Sequence, residues 1–447
     1  MTALKQYRIT AGSAAELVSQ IEAGVASGAL RPGQPLPSVR RLAGELGLSP
    51  VTVAAGLAEL RRRGVVQSEP RRGTRIGQGP PIGSPRAPLP VPAGARDLSL
   101  GNPDPALLPD LRSALARCAP ASRLYGEPPA LDGLLALARE QLRADGVPCE
   151  SLCVVSGALD GIERVVQAHL RPGDRVAVEN PGYAELFHLL RAHGLLLEPV
   201  ALDDRGMLPD SLRAALERGA VAAVITPRGQ NPTGAALDGA RARDLGAVLD
   251  GHPRALVIED DHLGAVAGSE LHSVAPGLSR RRERWAATRS VAKALGPDLR
   301  LAVLAGDAGT LARVQGRQLC GPGWVSHILQ SLVLELWRDP AVETLIERAR
   351  ATYTQRRESL LAALRSRGVP ARGACGLNVW IAVQEEAATI GALMQRGWVL
   401  APGAPYRLPG SPPAVRATIA TLAAEEAERL ADDLADVLAP RELSRAG

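Results

Sequence analysis

Long apolar runs are missing from this chain of 447 residues. No stretch is apolar and free of charge over the length that crosses a bilayer, and the opening residues MTALKQYRITAGSAAELV lack the apolar core of an export signal. A cytoplasmic location with no membrane partner is therefore expected. Cysteine is scarce as well. Cys118, Cys149, Cys153, Cys320 and Cys375 are odd in number, form no CxxC pair and have no histidine close by. That pattern argues against a disulfide framework and a zinc site, so reduced, buried thiols and no metal are expected. The shortage of lysine is the most telling. Of 52 basic side chains only Lys5 and Lys293 are lysines. Arginine serves for charge and ion pairing, but it cannot lose a proton to form an imine. A chain that uses arginine almost everywhere and still holds Lys293 points to that residue as a Schiff-base lysine.

What is present is unevenly distributed. The formal net charge is +5, yet residues 1–76 hold eleven Lys/Arg against five Asp/Glu, and the remainder holds 41 against 42. The positive surplus belongs to the N-terminal segment and favours a polyanionic partner through counterion release.

The same segment has a readable order of elements. Leu17, Ile21 and Val25 recur at four-residue spacing and predict a helix over 15–28. RPGQPLPS breaks it. VRRLAGEL (39–46) predicts a short helix turned by Gly47, and Ser49 with Pro50 forms the N-cap and first position of the next helix. That helix buries Val53, Leu57 and Leu60 and ends on three arginines and Gly64. Val65-Val66 and Thr74-Arg75-Ile76 flank Arg71-Arg72-Gly73 as a two-stranded wing. The sum is a winged helix-turn-helix whose recognition helix starts at Ser49, and double-stranded DNA is the expected partner. Residues 77–97 hold six prolines and no apolar periodicity, which makes a semi-rigid linker.

Beyond the linker, short apolar runs alternate with amphipathic helices such as 159–169 and 239–249. Strands are expected at 153–155, 175–179, 220–226, 254–260, 285–290 and 301–306, in a mainly parallel α/β sheet. From about residue 340 a smaller α+β lobe is expected. The domain organisation expected is thus 1–76, a linker over 77–97 and a second domain over 98–447.

Ligands in doubly wound folds sit in loops at the carboxyl ends of strands. A pyridoxal phosphate site needs an amine, a carboxylate for the pyridine nitrogen, a stacking group, a donor to the ring oxygen and anion contacts. Each is available at such a loop. Asp260 closes the run RALVIED, and Ser290 and Lys293 follow the next strand. Arg300 is placed to pair with a phosphate. Ser156-Gly157-Ala158 opens a helix directly after a strand, where bare amides attract anions. Tyr183, one of five tyrosines, lies in the turn Asn180-Pro-Gly-Tyr183, and Asn231 begins Asn-Pro-Thr-Gly234.

On these residues the chain resembles the MocR-type regulators of the GntR family, a winged helix fused to a fold-type I, class I/II aminotransferase domain. The resemblance is carried by LRPGQPLPSVRRLAGELGLSPVTVAAGLAELRRRGVV, then by YGEPPAL, SGALDGIERV, PGDRVAVENPGY, TPRGQNPTG, VIEDDH and SVAKALGPDLRLAVL. It implies pyridoxal 5′-phosphate on Lys293, with Asp260 at the pyridine nitrogen, Asn231 at the ring hydroxyl and Tyr183 stacked on the ring. It assigns the phosphate to Gly157, Ala158, Ser290 and Arg300, and a substrate or effector carboxylate to Arg416. DNA contacts fall on Arg40, Ser49, Thr52, Arg72 and Gly73. His262 stands two residues after the aspartate, where a tyrosine is usual, and is carried as a cofactor neighbour. Ala292 replaces a serine before the lysine, Leu159 a frequent glutamine and Asn378 a histidine. Pro50 and Ala54 replace frequent DNA-contacting arginines. A homodimeric transcription regulator that senses the cofactor, an amine or an amino acid is expected, controlling vitamin B6 or amino-acid metabolism. The alternative is a working aminotransferase with a DNA-binding head.

Overall fold

The computed structural model describes residues 9–27, 29–62, 64–69, 73–77, 91–118, 122–278 and 282–439. They divide into two compact units, one made of residues 1–86 with 170–175 and 187–197, the other of the rest.

In the first unit, α1 (Ala14–Ala26) starts on Ser13, whose hydroxyl accepts the Glu16 amide at 3.2 Å. It ends two residues before the periodicity predicts. α2 (Val39–Leu46) is capped by Ser38 and stopped by Gly47 at φ 66°, a left-handed conformation natural to glycine. α3 (Pro50–Arg62) follows, and the Ser49 hydroxyl accepts the Thr52 amide at 3.1 Å, so the expected N-cap is in place. β1 (Val66–Glu69) and β2 (Gly73–Ile76) pair antiparallel with Val66 opposite Ile76, forming the wing. Leu17, Ile21, Leu42, Val53, Leu57, Leu60, Val66 and Ile76 share one core, which joins the three helices to the hairpin.

The second unit opens with β3 (Arg96–Asp97), which pairs in parallel with a strand of the C-terminal lobe described below. Its main sheet has eight strands: β4 (Ser151–Val155), β5 (Arg175–Asn180), β6 (Leu196–Asp203), β7 (Gly206–Met207), β8 (Ala220–Ile225), β9 (Leu256–Asp261), β10 (Trp285–Ser290) and β11 (Ala302–Gly306). Their order is β4-β11-β10-β9-β8-β5-β6-β7. β8, β9 and β10 run parallel, while β11 is antiparallel to both its neighbours. The centre is apolar because these strands are covered on both faces, as parallel strands must be. β9 continues one residue past the predicted end, so Asp260 lies inside the strand, paired with Thr288 of β10.

The smaller lobe holds β12 (Ala371–Arg372), β13 (Asn378–Ala382), β14 (Trp398–Val399), β15 (Ala401–Pro402) and β16 (Ala414–Thr418). Four of these form a sheet in the order β12-β13-β16-β15, and β14 takes β3 as its partner. The 27-residue helix Pro340–Ser366 and the terminal helix Ala424–Leu438 pack together behind it. Cys149, Cys153 and Cys375 are buried, but Cys118 is half-buried and Cys320 exposed, which corrects the expectation that all five thiols are interior; the last lies just past the end of helix Ala308–Leu319. Among the described residues no helix is long and apolar enough to cross a membrane.

Candidate functional site

The residues singled out in the second domain meet where β5, β8, β9 and β10 end. Lys293 sits in the short helix Ala292–Leu295 directly after β10. Its Nζ donates to the Gly101 carbonyl oxygen at 2.5 Å. Burial, reinforced by the positive Arg416, pulls its ammonium down to about 8, while Glu185 works the other way. An amine in that range is partly neutral near pH 7, the form that attacks a carbonyl.

Asp260 is fully enclosed on β9 and accepts the Thr288 hydroxyl at 3.2 Å. Burial, with a smaller contribution from Asp261, pushes its carboxyl up to about 7, against the Thr288 hydrogen bond. The site thus holds a buried acid without a cation on it, a fitting partner for a protonated ring nitrogen. Next to it, Asp261 is gripped at 2.9 Å by both Arg228 and Arg289. Those guanidiniums overcome burial and hold its carboxyl down at about 2. Alternation along the strand separates these neighbours: the paired aspartate serves the scaffold and the unpaired one the site. His262 is pushed down to about 4, chiefly by burial and then by the charge of Lys293, so it stands near the amine as a neutral ring.

Tyr183 lies in the turn after β5, and burial raises its phenol. Asp260, Tyr406 and Arg416 all act on it, which places it in the same pocket. Asn231 Oδ1 accepts Arg416 Nη1 at 3.0 Å. Arg416 is 3% exposed on β16, its guanidinium 4.9 Å from the centre of the Tyr406 ring, and its Nη2 donates to the Ser99 carbonyl at 2.5 Å. Its Nε has no partner, an unusual state for a buried polar atom and one that a ligand oxygen would relieve.

The anion end is built around Gly157 and Arg300. Gly157 has φ 102°, and a side chain there would put its first carbon 3.0 Å from Arg300 Nη2. Arg300 itself is left-handed at φ 44°, a costly conformation for a residue other than glycine, and its Nη2 donates to the Ser156 carbonyl at 3.2 Å. Helix Ala158–His169 begins beside them. Ser290 is buried and its hydroxyl accepts the Ala292 amide. Together, the cradle at Gly157, the unpaired Arg416 Nε, the softened amine and the uncompensated Asp260 fit pyridoxal phosphate.

Sequence reasoning missed several participants. Ser99 and Gly101 act through their carbonyls, which no side-chain motif announces. Thr288 and the Arg228–Asp261–Arg289 cluster lay in or beside the quoted motifs without a role, and Tyr406 lay outside them. In the reader domain, Arg40, Ser49 and Gly73 are exposed, Thr52 is partly exposed, and Arg72 lies outside the described residues. The Ser49 and Thr52 hydroxyls are bonded to each other at 2.8 Å, so these two residues also serve the helix start.

Comparison with known proteins agrees with both halves. Residues 96–434 match the model of aminotransferase class I and II, and residues 13–76 that of bacterial regulatory proteins of the gntR family. The chain is 38% identical over 432 residues to the vitamin B6 salvage pathway transcriptional repressor PtsJ of Salmonella typhimurium, covering 95% of this chain and 98% of that protein. It is 31% identical over 258 residues to the pyridoxine biosynthesis transcriptional regulator PdxR of Corynebacterium glutamicum, covering 55% of each. Among solved structures, Pyrococcus horikoshii kynurenine aminotransferase superposes with a TM-score of 0.71 at 20% identity, over 78% of this chain and 91% of that one. At that identity the likeness speaks for the fold alone.

Proposed function

The chain belongs to the class I and II aminotransferase family over residues 96–434 and to the gntR-type regulators through residues 13–76, and from that premise we propose that it is a cytoplasmic, homodimeric transcription regulator whose pyridoxal-phosphate domain senses vitamin B6 or an amine drawn from it. The likeness to a vitamin B6 salvage repressor along nearly the whole chain supports the B6 reading.

One observation carries the sensing role. The segment that leads from the linker into the second domain, residues 98–104, supplies the carbonyls that occupy two cations of the site. Gly101 holds Lys293 and Ser99 holds Arg416, whereas the third cation, Arg300, is held by Ser156. Its flanks are fixed: the Leu98 amide bonds the Val399 carbonyl, and the Asp104 amide accepts no freedom because it donates to the Tyr353 hydroxyl at 3.0 Å. Pyridoxal phosphate, when bound, supplies an aldehyde for an amine and a ring that takes up electron density. Lys293 would release Gly101 to face that aldehyde, Asp260 would balance the ring nitrogen, Asn231 and Tyr183 would orient the ring, and Arg300 with Gly157 and Ala158 would hold the phosphate. Arg416 exchanges Ser99 for the carboxylate of an effector. Loading the site therefore withdraws the bonds that tether the chain just after the linker, and only such differential contact can shift an equilibrium between arrangements of the DNA-binding heads.

The test is operator binding by the full-length protein with and without pyridoxal phosphate, alongside Lys293→Ala. A cofactor-dependent change in affinity or footprint that the variant abolishes supports a sensor. Identical DNA binding in all states, with amino-acid turnover that depends on Lys293, supports the aminotransferase reading instead.

A further inference from the structure

A third buried carboxylate stands at this site with no part in the roles above. Glu179, near the end of β5, is 6% exposed. Its Oε1 accepts the Thr226 amide at 3.0 Å, and its Oε2 accepts the Thr226 hydroxyl at 2.8 Å and Gln230 Nε2 at 3.1 Å. All three donors are neutral, so a carboxylate is held here without a guanidinium on it. Burial, with Asp260 adding to it, raises the Glu179 carboxyl to about 7. A chain rich in arginine keeps a costly group in this place, and the rest of its network explains what it secures.

Gln230 is fully buried and uses its whole hydrogen-bonding capacity. Its Nε2 donates to Glu179 and to the Pro181 carbonyl at 2.9 Å, and its Oε1 accepts the Thr233 amide at 3.0 Å and hydroxyl at 2.6 Å. An amide side chain has two N–H groups and two lone pairs, and all four are taken. Pro181 belongs to the turn that carries Tyr183, and Gln230 directly precedes Asn231. We propose that Glu179 is a positioning residue of the cofactor site: through Thr226 and Gln230 it locks the turn bearing Tyr183 to the loop bearing Asn231, and so sets the spacing between the group stacked on the ring and the amide at its oxygen. The network fixes the polarity of the lock, because Gln230 must present N–H groups to two acceptors. Glutamate at 179 accepts from all three donors; glutamine would turn an N–H toward one of them.

This inference rests on the reading that the site takes pyridoxal phosphate, and the experiment separates the two. The full-length protein, Glu179→Gln, Gln230→Met and the double variant are titrated with pyridoxal phosphate, following the visible band and the apo melting curve. The expected result is binding weakened about 10- to 100-fold in each single variant, with a displaced visible band, since the ring oxygen loses its fixed amide. The double variant is expected to be no weaker than the worse single, because both residues act through one link. Should Glu179→Gln fail to fold, Gln230→Met carries the test alone. Wild-type affinity and band position in variants that fold overturn the lock and leave the cofactor reading standing. A lower melting temperature with unchanged affinity and band assigns the network to scaffold stability and also overturns it. A wild-type protein that binds no pyridoxal phosphate overturns both.

Discussion

Lys293 donates to the carbonyl oxygen of Gly101, a contact that spans 192 residues of sequence. The same short segment meets Arg416 through Ser99, so two side chains expected to hold ligand are held by backbone. A charge-assisted hydrogen bond of this kind contributes about 1.5–3 kcal/mol. Withdrawing both is enough to loosen residues 98–104 between their anchors. Hydrogen exchange at Ser99, Leu100 and Gly101 is therefore expected to speed up when pyridoxal phosphate and an amino-acid effector are both added. In the apo protein, Lys293→Ala is expected to raise it at Gly101 in advance. Protection that is unchanged or increased on loading runs against the strap as the route from site to linker.

The buried acids give the apo protein a distinctive pH response. Asp260 is raised to about 7, so the fold holds its proton more tightly than the unfolded chain does. Its contribution is fully present below the ordinary value of 3.8 and is lost as pH rises through about 7. His262 runs the other way: it is depressed to about 4, and the stability from its neutral form is lost as pH falls from 6.5 towards 4. Comparing Asp260→Asn with wild type cancels the histidine. Between pH 5 and pH 8 the apo variant is expected to gain on the wild type by up to about 3 kcal/mol in unfolding stability. With pyridoxal phosphate that gain reverses, since the ring nitrogen then makes use of the charge. A constant difference across pH 5–8 shows that Asp260 is not the group titrating.

The winged-helix domain is basic, and of its predicted contacts Arg40, Ser49 and Gly73 are exposed, so phosphate contacts are expected to govern affinity. Arg40→Ala is expected to weaken binding to all DNA sequences alike and to lower the slope of log affinity against log salt by about 1. Thr52→Val, next to the helix start, is expected to act on sequence preference with the slope kept. Residues 1–76 alone are expected to bind an operator about 100- to 10,000-fold more weakly than the full chain, where two heads engage one duplex. Fluorescence anisotropy over a salt series reads all three, and a salt-independent affinity contradicts the electrostatic reading.

The legible and illegible parts of the sequence divide by how far each interaction reaches. The reader domain was readable because caps, turn glycines and four-residue spacing act within a few residues, as Ser49, Gly47 and Leu57 do. The strands were readable as apolar runs, and the isolated Lys293 stood out by composition. Strand ends moved by a residue or two where pairing with a neighbour extended them, as at Asp260 and Asp261. What stayed hidden joins distant segments: Gly101 to Lys293, Ser99 to Arg416 and Glu179 to Gln230. Backbone acceptors carry no side-chain signature, and a buried glutamate in RVAVE reads as the ordinary polar end of a strand. The exposed Cys320 escaped for a related reason, since the face a helix end presents depends on its neighbours.

If the second domain is a sensor, occupancy has to reach the DNA through residues 77–97, and the composition of that linker then matters. Most of it, residues 78–90, lies outside the described residues; on composition its six prolines are expected to transmit displacement that a glycine and serine chain of the same length absorbs. Couplings between sites typically amount to about 1–3 kcal/mol, or roughly 5- to 150-fold in affinity. Replacing 78–95 with a Gly/Ser sequence of equal length is expected to leave pyridoxal phosphate affinity unchanged and to shrink the cofactor effect on operator affinity several-fold. Lys293→Ala with the native linker is expected to lock operator affinity at one value whatever the cofactor concentration. The two variants fail differently: one binds cofactor and ignores it, the other cannot receive it. A Gly/Ser variant that keeps the full cofactor response shows that the signal travels by some other path, such as a change in how two copies associate. In that case sedimentation of the wild-type protein with and without cofactor is expected to reveal the change in assembly, and the strap at Ser99 and Gly101 loses its part in signalling.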